Sequence, residues 1–255
     1  MDHSKEQILR YLGRHSQEIP PHLDVLIEEC MCLMRDAMIQ APPHHIYHIY
    51  DLVFPVKGKP KGEPARDAEG ISVKNTRLLL PGTAIRRHLS GCHQVVLLAA
   101  TLGVAADTLI RRWQTIDLTR SLILDACATQ CIEHCCDEAE SLIRHHVQED
   151  NLLITPRFSP GYGDLPLDLQ PTLLAILDAE KKIGLTCTQS LILLPRKSVT
   201  ALIGLRQDQA AKGVDFRKTA DHITFQKNTP SPADCSSIGC ANCSLKAKCL
   251  YQESE

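Results

Sequence analysis

The stretch from about residue 118 to 147 reads as one helix, the longest in the chain, and it constrains what the rest must build around it. Leu124, Ala128, Cys131, Cys135, Ala139 and Leu142 recur at steps of three and four residues, which places them on one buried face. Gln130, Glu133, Asp137, Glu140 and Arg144 fill the opposite face at similar steps. A stripe of that length has to lie on another apolar layer. "QVVLLAATLG", from residue 94, offers one, because a continuous apolar run predicts a buried strand.

Other segments fill in a mixed α+β pattern. "KEQILRYLG" is amphipathic and stops at Gly13. "PPHLDVLIEECMCLMRDAM" starts a second helix at proline, with Leu23, Leu26, Ile27, Cys30 and Met34 on one stripe. "HHIYHIYDLVFPV" is rich in β-branched and aromatic residues and predicts a strand. "KGKPKGEPARDAEG" is a charged, Pro- and Gly-rich loop. "ISVKNTRLLL" predicts a strand and "PGTAIRRHLSG" a short helix closed by Gly91. "PTLLAILDAEKKIG" predicts a helix stopped by Gly184, and "SLILLP" and "SVTALIGL" predict strands joined by a tight turn at Arg196 and Lys197. "DHITFQKN" is a candidate last strand. Strands and helices alternate irregularly, so a mixed or antiparallel sheet flanked by helices fits better than a doubly wound sheet. Residues 1–228 form this unit, with its N-terminal helices in 1–40, and 229–255 form a linker and a cysteine-rich tail.

Charge and hydropathy narrow the function classes. A formal net charge of −2 argues against a dedicated nucleic-acid binder, which needs a basic surface for phosphates. No apolar run is long enough to span a membrane, and "MDHSKEQILRYLG" has no signal-peptide core, so the expected location is cytoplasmic.

In a reducing compartment the 12 cysteines are not expected to form a disulfide framework. Cys127, Cys131 and Cys135 are spaced i, i+4, i+8 on the long helix, and its apolar stripe already accounts for them as small core residues. Cys30, Cys32, Cys92 and Cys187 look equally ordinary. The tail is different. "CSSIGCANCSLKAKC" sets Cys235, Cys240, Cys243 and Cys249 as C-x4-C-x2-C-x5-C in a segment with no large apolar face. Four thiols in a segment that cannot build its own core point to a bound metal, either tetrahedral zinc or a 4Fe–4S cluster.

"RFSPGYGDLP", residues 157–166, crowds two prolines and two glycines beside an arginine and a tyrosine. Arg157 is a planar donor fork suited to a carboxylate. Pro160 fixes one backbone angle, and Gly161 allows a conformation or a close approach that a side chain forbids. Read alone, the stretch is better explained as a Pro-Gly turn with a surface arginine and a half-buried tyrosine.

The wider run, "RFSPGYGDLPLDLQPTLLAILDAEKKIGLTCTQSLILLPRKSVTAL", resembles the activation domain of cobalamin-dependent methionine synthase. That family carries Arg-x-x-Pro-Gly-Tyr, a nearby proline, a helix ending in Ile-Gly, a Thr-x-Ser-hydrophobic strand and a Pro-x-x-Ser-Val turn. Here these are Arg157 to Tyr162, Pro166, Ile183–Gly184, Thr188 to Leu191, and Pro195 to Val199. "AATLGVAADTLIRRW" and "LDACATQCIEHCCDEAE" upstream look like the same domain in free-standing form. The chain is too short to include the family's substrate- or corrinoid-binding modules.

The resemblance implies a domain that binds S-adenosylmethionine and docks over the cobalamin of a separate module. Arg157 would help hold S-adenosylmethionine, the main chain of Ser159, Pro160 and Gly161 would line the site, and Tyr162 would lie on the cobalt-facing side as the candidate catalytic residue. One position departs: after the Ser-Val turn the family has Gly-x-Tyr, where this chain has Ala201, Leu202 and Ile203. The implied role is reductive reactivation of cob(II)alamin in a partner methionine synthase, with methyl transfer trapping cob(I)alamin as methylcobalamin. It would make the chain part of a methyltransferase reactivation system that also needs an electron donor. A 4Fe–4S cluster on the tail suits electron delivery. Two alternatives stay open: activation of another corrinoid protein without S-adenosylmethionine, and a non-enzymatic adaptor with a zinc-bound tail.

Overall fold

The apolar run beginning at residue 94 becomes β4 (Gln94–Thr101), the strand on which both layers of the protein are built. A computed structural model of the chain describes residues 3–13, 19–55 and 70–207. β4 is flanked by β1 (His44–Val53) and β8 (Ser198–Gln207), both antiparallel to it. β2 (Gly70–Val73), β3 (Leu79–Pro81) and β5 (Leu152–Ile154) complete a six-stranded sheet in the order β3-β2-β1-β4-β8-β5. All its pairings are antiparallel.

Alternate residues of β4 serve opposite layers, as the twofold strand period requires. Val96 and Leu98 pack with Ala201, Ile203 and Leu205 of β8 beneath Ala139, Ile143 and Val147 of α5 (Leu118–Gln148). Val95, Leu97 and Ala99 point the other way, toward α3 (Thr83–His88), α6 (Gln170–Leu177) and α7 (Ala179–Ile183). Because both faces are covered, β4 reads as unbroken apolar sequence instead of alternating. A third cluster joins α1 (His3–Tyr11), α2 (Pro21–Gln40), α4 (Gly103–Gln114) and the first half of α5.

α5 begins at Asp117, whose carboxylate accepts from the main-chain N–H groups of Thr119 and Arg120 at 2.9 and 3.2 Å. Caps of this kind are worth about 1 kcal/mol. The helix buries more of its girth than one stripe: Ile123, Cys127, Ile132 and Cys136 are buried as well as Leu124, Ala128, Cys135 and Ala139. Leu142, expected on the buried face, is 53 % exposed, because the buried line continues through Ile143 instead.

Five local expectations differ from the structure. "ISVKNTRLLL" is not one strand but the β2–β3 hairpin. Asn75 takes a left-handed φ of 61°, and the Thr76 hydroxyl donates to Val73 O and accepts from Leu78 N. The predicted helix after residue 170 is two short ones, broken where Asp178 turns left-handed (φ 53°). "SLILLP" contributes to the strands just β7 (Leu193–Leu194), and it pairs with β6 (Thr186–Cys187) instead of forming a hairpin with β8. The Thr-x-Ser segment itself is a turn: Leu191 N donates to Thr188 O, and the Thr188 hydroxyl accepts from Ile192 N. α4 supplies a helix in a stretch to which the apolar pattern assigned none. The candidate strand "DHITFQKN" and the cysteine-rich tail lie outside the described residues.

Candidate functional site

The segment that leaves β5 is fastened to β8 before it reaches the Pro-Gly step. Thr155 N donates to Gly204 O at 2.9 Å, and Gly204 N donates back to the Thr155 hydroxyl at 2.8 Å. Phe158 and Leu202 then exchange a reciprocal pair of main-chain bonds, 2.9 and 2.8 Å long. Arg157 lies between these two anchor points, so its backbone position is set on both sides.

Its side chain turns toward α5. Arg157 Nη2 donates to Glu133 Oε2 at 2.8 Å, and Nη1 meets Asp137 Oδ1 at 3.0 Å and Glu140 Oε1 at 3.1 Å. These three carboxylates belong to the face read from sequence as the far side of the long helix. They are unequally placed: Glu140 is 20 % exposed, Glu133 44 % and Asp137 67 %. Burial pushes the Glu140 carboxyl above its ordinary range, against the opposing pull of Arg157. The end of α1 stands nearby, where burial and the charge of Glu133 raise the Tyr11 phenol. A cleft of about 440 Å³ opens beside the cluster, lined by Asp137, Glu140, Arg144, Thr155, Pro156 and Arg157 together with Ile154. Ligand pockets commonly span roughly 300–1,000 Å³.

Ser159, Pro160, Gly161 and Tyr162 continue the loop past this cleft and are not among the residues that line it. Pro160 is buried, and Gly161 holds φ at +92°, a region that a side chain disfavours. Gly161 N donates to Leu165 O, and Tyr162 N donates to Ser159 O, so the loop spends these two amides on its own closure. Tyr162 is 61 % exposed and meets Phe158 edge-on, ring centroids 6.1 Å apart. Of the five expected ligand residues, Arg157 is thus in the cleft and Tyr162 projects from the same loop outside it.

Ile203, at the position where the resemblance leads one to look for tyrosine, is fully buried against α5 with Ala139 and Ile143. Its side chain is part of the core and does not line the cleft.

Two partnerships had no signal in the sequence because they join distant segments. Asp164 accepts from Thr83 N at 2.6 Å, from the Thr83 hydroxyl at 2.8 Å and from Ala84 N at 3.0 Å. Those bonds hold its carboxyl below the usual range. His88 Nε2 lies 3.0 Å from the Thr155 hydroxyl, and its ring stacks obliquely on Phe158 with centroids 4.9 Å apart. Burial lowers the His88 pKa, and the Pro156 carbonyl opposes that shift.

The helical cysteines behave as core residues. Cys127 and Cys135 are buried and Cys131 half-buried, and burial pushes the Cys127 thiol up to about 12 and Cys135 up to about 11. Among the described residues, no cluster of three or more His, Cys, Asp or Glu side chains is arranged to hold a metal ion. Cys235, Cys240, Cys243 and Cys249 lie outside those residues. No helix among the described residues is long and apolar enough to cross a membrane.

No protein-family model and no curated protein sequence matches the chain. Solved structures do. One is a crystal structure of the MetH reactivation domain bound to AdoHcy, which superposes with a TM-score of 0.54 at 16 % identity. The match covers 78 % of this chain and 69 % of that one. The chain therefore has the fold of a methionine synthase reactivation domain, an antiparallel sheet layered with helices.

Proposed function

We propose that the chain reactivates the corrinoid of a partner methionine synthase and binds S-adenosylmethionine for that purpose. The observation that carries this reading is the likeness of the whole fold to a reactivation domain solved with S-adenosylhomocysteine. It is supported by the Arg-x-x-Pro-Gly-Tyr loop, whose arginine stands in a cleft beside three carboxylates. The chemistry served is reduction of cob(II)alamin in the partner, made effectively irreversible by methyl transfer from the sulfonium of S-adenosylmethionine.

The Arg157 cluster fits the amino-acid end of such a ligand. A zwitterion can enter without leaving a charge unpaired: its carboxylate takes one acidic side chain's place on the guanidinium, and its ammonium satisfies that side chain. Asp137 is the acid to be displaced, since water already reaches most of it. Glu140, the least exposed, remains on Arg157 and keeps the fork oriented. Ser159, Pro160 and Gly161 shape the far side of the ligand site, and Tyr162 projects toward the corrinoid. Cys235, Cys240, Cys243 and Cys249 would hold a metal in the tail, and an iron–sulfur cluster there would supply the electron. Zinc in the tail would assign it a structural part instead, and metal analysis with electron paramagnetic resonance of the reduced protein separates the two.

A second reading is favoured by the same arginine. Arg157 already has three acidic partners, and Ile203 supplies core packing where the family has tyrosine. Both features suit an activator of another corrinoid methyltransferase protein that works without S-adenosylmethionine. Mixing the protein with reductant, S-adenosylmethionine and a cob(II)alamin-loaded methionine synthase tests the first reading. Methylcobalamin should accumulate, and Arg157→Ala should slow it. Reduction of the corrinoid of another methyltransferase protein, with S-adenosylmethionine left out, supports the second.

A further inference from the structure

α3 holds both ends of the Arg157 loop, although it contributes nothing to the cleft itself. At its start, the Asp164 carboxylate receives Thr83 N, the Thr83 hydroxyl and Ala84 N, so the last part of the loop is a side-chain cap on the first turn of the helix. At its end, His88 bonds to Thr155 and stacks on Phe158, on either side of Arg157 in sequence. The loop from Thr155 to Asp164 is thereby laid along α3 and pinned at both ends.

The fit at the Asp164 end is too close for ordinary residues. Gly82 has φ +112°, and a Cβ there would stand 2.5 Å from Asp164 Oδ1. Gly163 has φ +56°, and a Cβ there would stand 2.8 Å from the Ala84 Cβ. Two glycines, one on each segment, permit the backbones to approach until the carboxylate reaches both amides. α3 is in turn held from beneath, since Ile85 and Leu89 are fully buried in the cluster that includes Leu97 and Leu202.

We infer that α3 is a splint for the ligand loop, with Asp164 and His88 as positioning residues that hold Arg157 and Tyr162 in register without touching a ligand. The splint rests on geometry, while its effect on binding rests on the proposed S-adenosylmethionine site. Without Asp164 the loop loses its far anchor, and the Pro-Gly step and Tyr162 are no longer held in register with Arg157, whose own backbone β8 still fixes. Asp164→Asn keeps a single acceptor oxygen and should restore part of the attachment.

The test compares the full chain with Asp164→Ala, Asp164→Asn and His88→Ala by amide hydrogen exchange and by titration with S-adenosylhomocysteine. Exchange across residues 158–166 should rise about fivefold in Asp164→Ala, less in Asp164→Asn, with amides of β4 unchanged. Affinity for S-adenosylhomocysteine should fall in the same order. Unchanged exchange in the loop, or an equal rise over β4 and α5, would overturn the splint. If the wild-type chain binds no S-adenosylhomocysteine, the ligand reading fails and the splint stands or falls on exchange alone. Loop exchange that rises while measured affinity stays constant would show that Asp164 positions nothing the ligand uses, and would overturn its positioning role.

Discussion

Arg157 Nη2 lies 2.8 Å from Glu133 Oε2, and this bond ties the Arg157 loop to the middle of α5 across 24 positions of sequence. The arginine is largely buried, with a side chain 22 % exposed, while two of its three acidic partners reach solvent. Truncation would leave Glu140 in a partly apolar setting with only the longer-range charge of Arg144 to offset its own. Arg157→Ala should therefore lower stability by about 1–2 kcal/mol, less than a fully enclosed pair because water screens Glu133 and Asp137. Arg157→Lys keeps the charge but cannot reach three carboxylates with one planar fork, so it should recover part of the loss. Urea denaturation of the three proteins checks the order.

Ile203→Tyr restores the residue type of the resembled family, yet here the side chain points under α5 among Ala139 and Ile143. Enlarging a fully buried site that is already packed typically costs about 1–3 kcal/mol. The variant should be less stable and should gain no affinity for S-adenosylhomocysteine. A stable Ile203→Tyr protein with tighter binding would place this position at the ligand instead of in the core.

Thiol reactivity should separate the cysteines by burial. Cys32 is exposed, whereas Cys127 and Cys136 are buried, with thiols raised to about 12. The thiolate is the reactive form, so Cys32 should be labelled far faster than either at neutral pH. Residue-resolved mass spectrometry after a short pulse of iodoacetamide reads this directly. Rapid native-state labelling of Cys127 or Cys136 would contradict the packing of α5.

Stability should also report on the splint through pH. Burial depresses the His88 pKa in the folded protein, so the unfolded chain takes up a proton first as the pH falls below about 6.5. The contribution of neutral His88 is complete above that value and is lost progressively between it and the lower folded pKa. His88→Gln, which cannot take up that proton, should flatten the denaturation midpoint across this window. An unchanged pH slope would mean that His88 is not buried as a neutral ring.

Much of the architecture was legible because it depends on patterns within single elements. The unbroken run of β4 announced a strand covered on both faces, and the step pattern of α5 gave its length nearly to the residue. The misreadings occurred where one residue redirects the chain. Asn75 and Asp178 take left-handed conformations that their neighbours do not announce, and they turn one expected strand into a hairpin and one expected helix into two. The candidate site was legible to the extent that Arg157, which stands in the cleft, and Gly161, which takes a positive φ, carry their character in their own side chain or its lack. Their partners were not. Glu133, Asp137 and Glu140 read only as the face opposite the buried stripe, because nothing local says that a loop from beyond β5 folds back over them. Asp164 read as part of a turn, since its role as the cap of α3 depends on Thr83 and Ala84, some eighty residues earlier.

The most direct measurement of the central claim is titration calorimetry of the wild-type chain with S-adenosylhomocysteine, with Arg157→Ala alongside. The proposed function gives saturable, one-to-one binding for the wild type and at least tenfold weaker binding for the variant, the loss of about 1.4 kcal/mol or more expected when a charge-assisted carboxylate contact is removed. No binding by a folded wild-type protein, or equal affinity in Arg157→Ala, would contradict it.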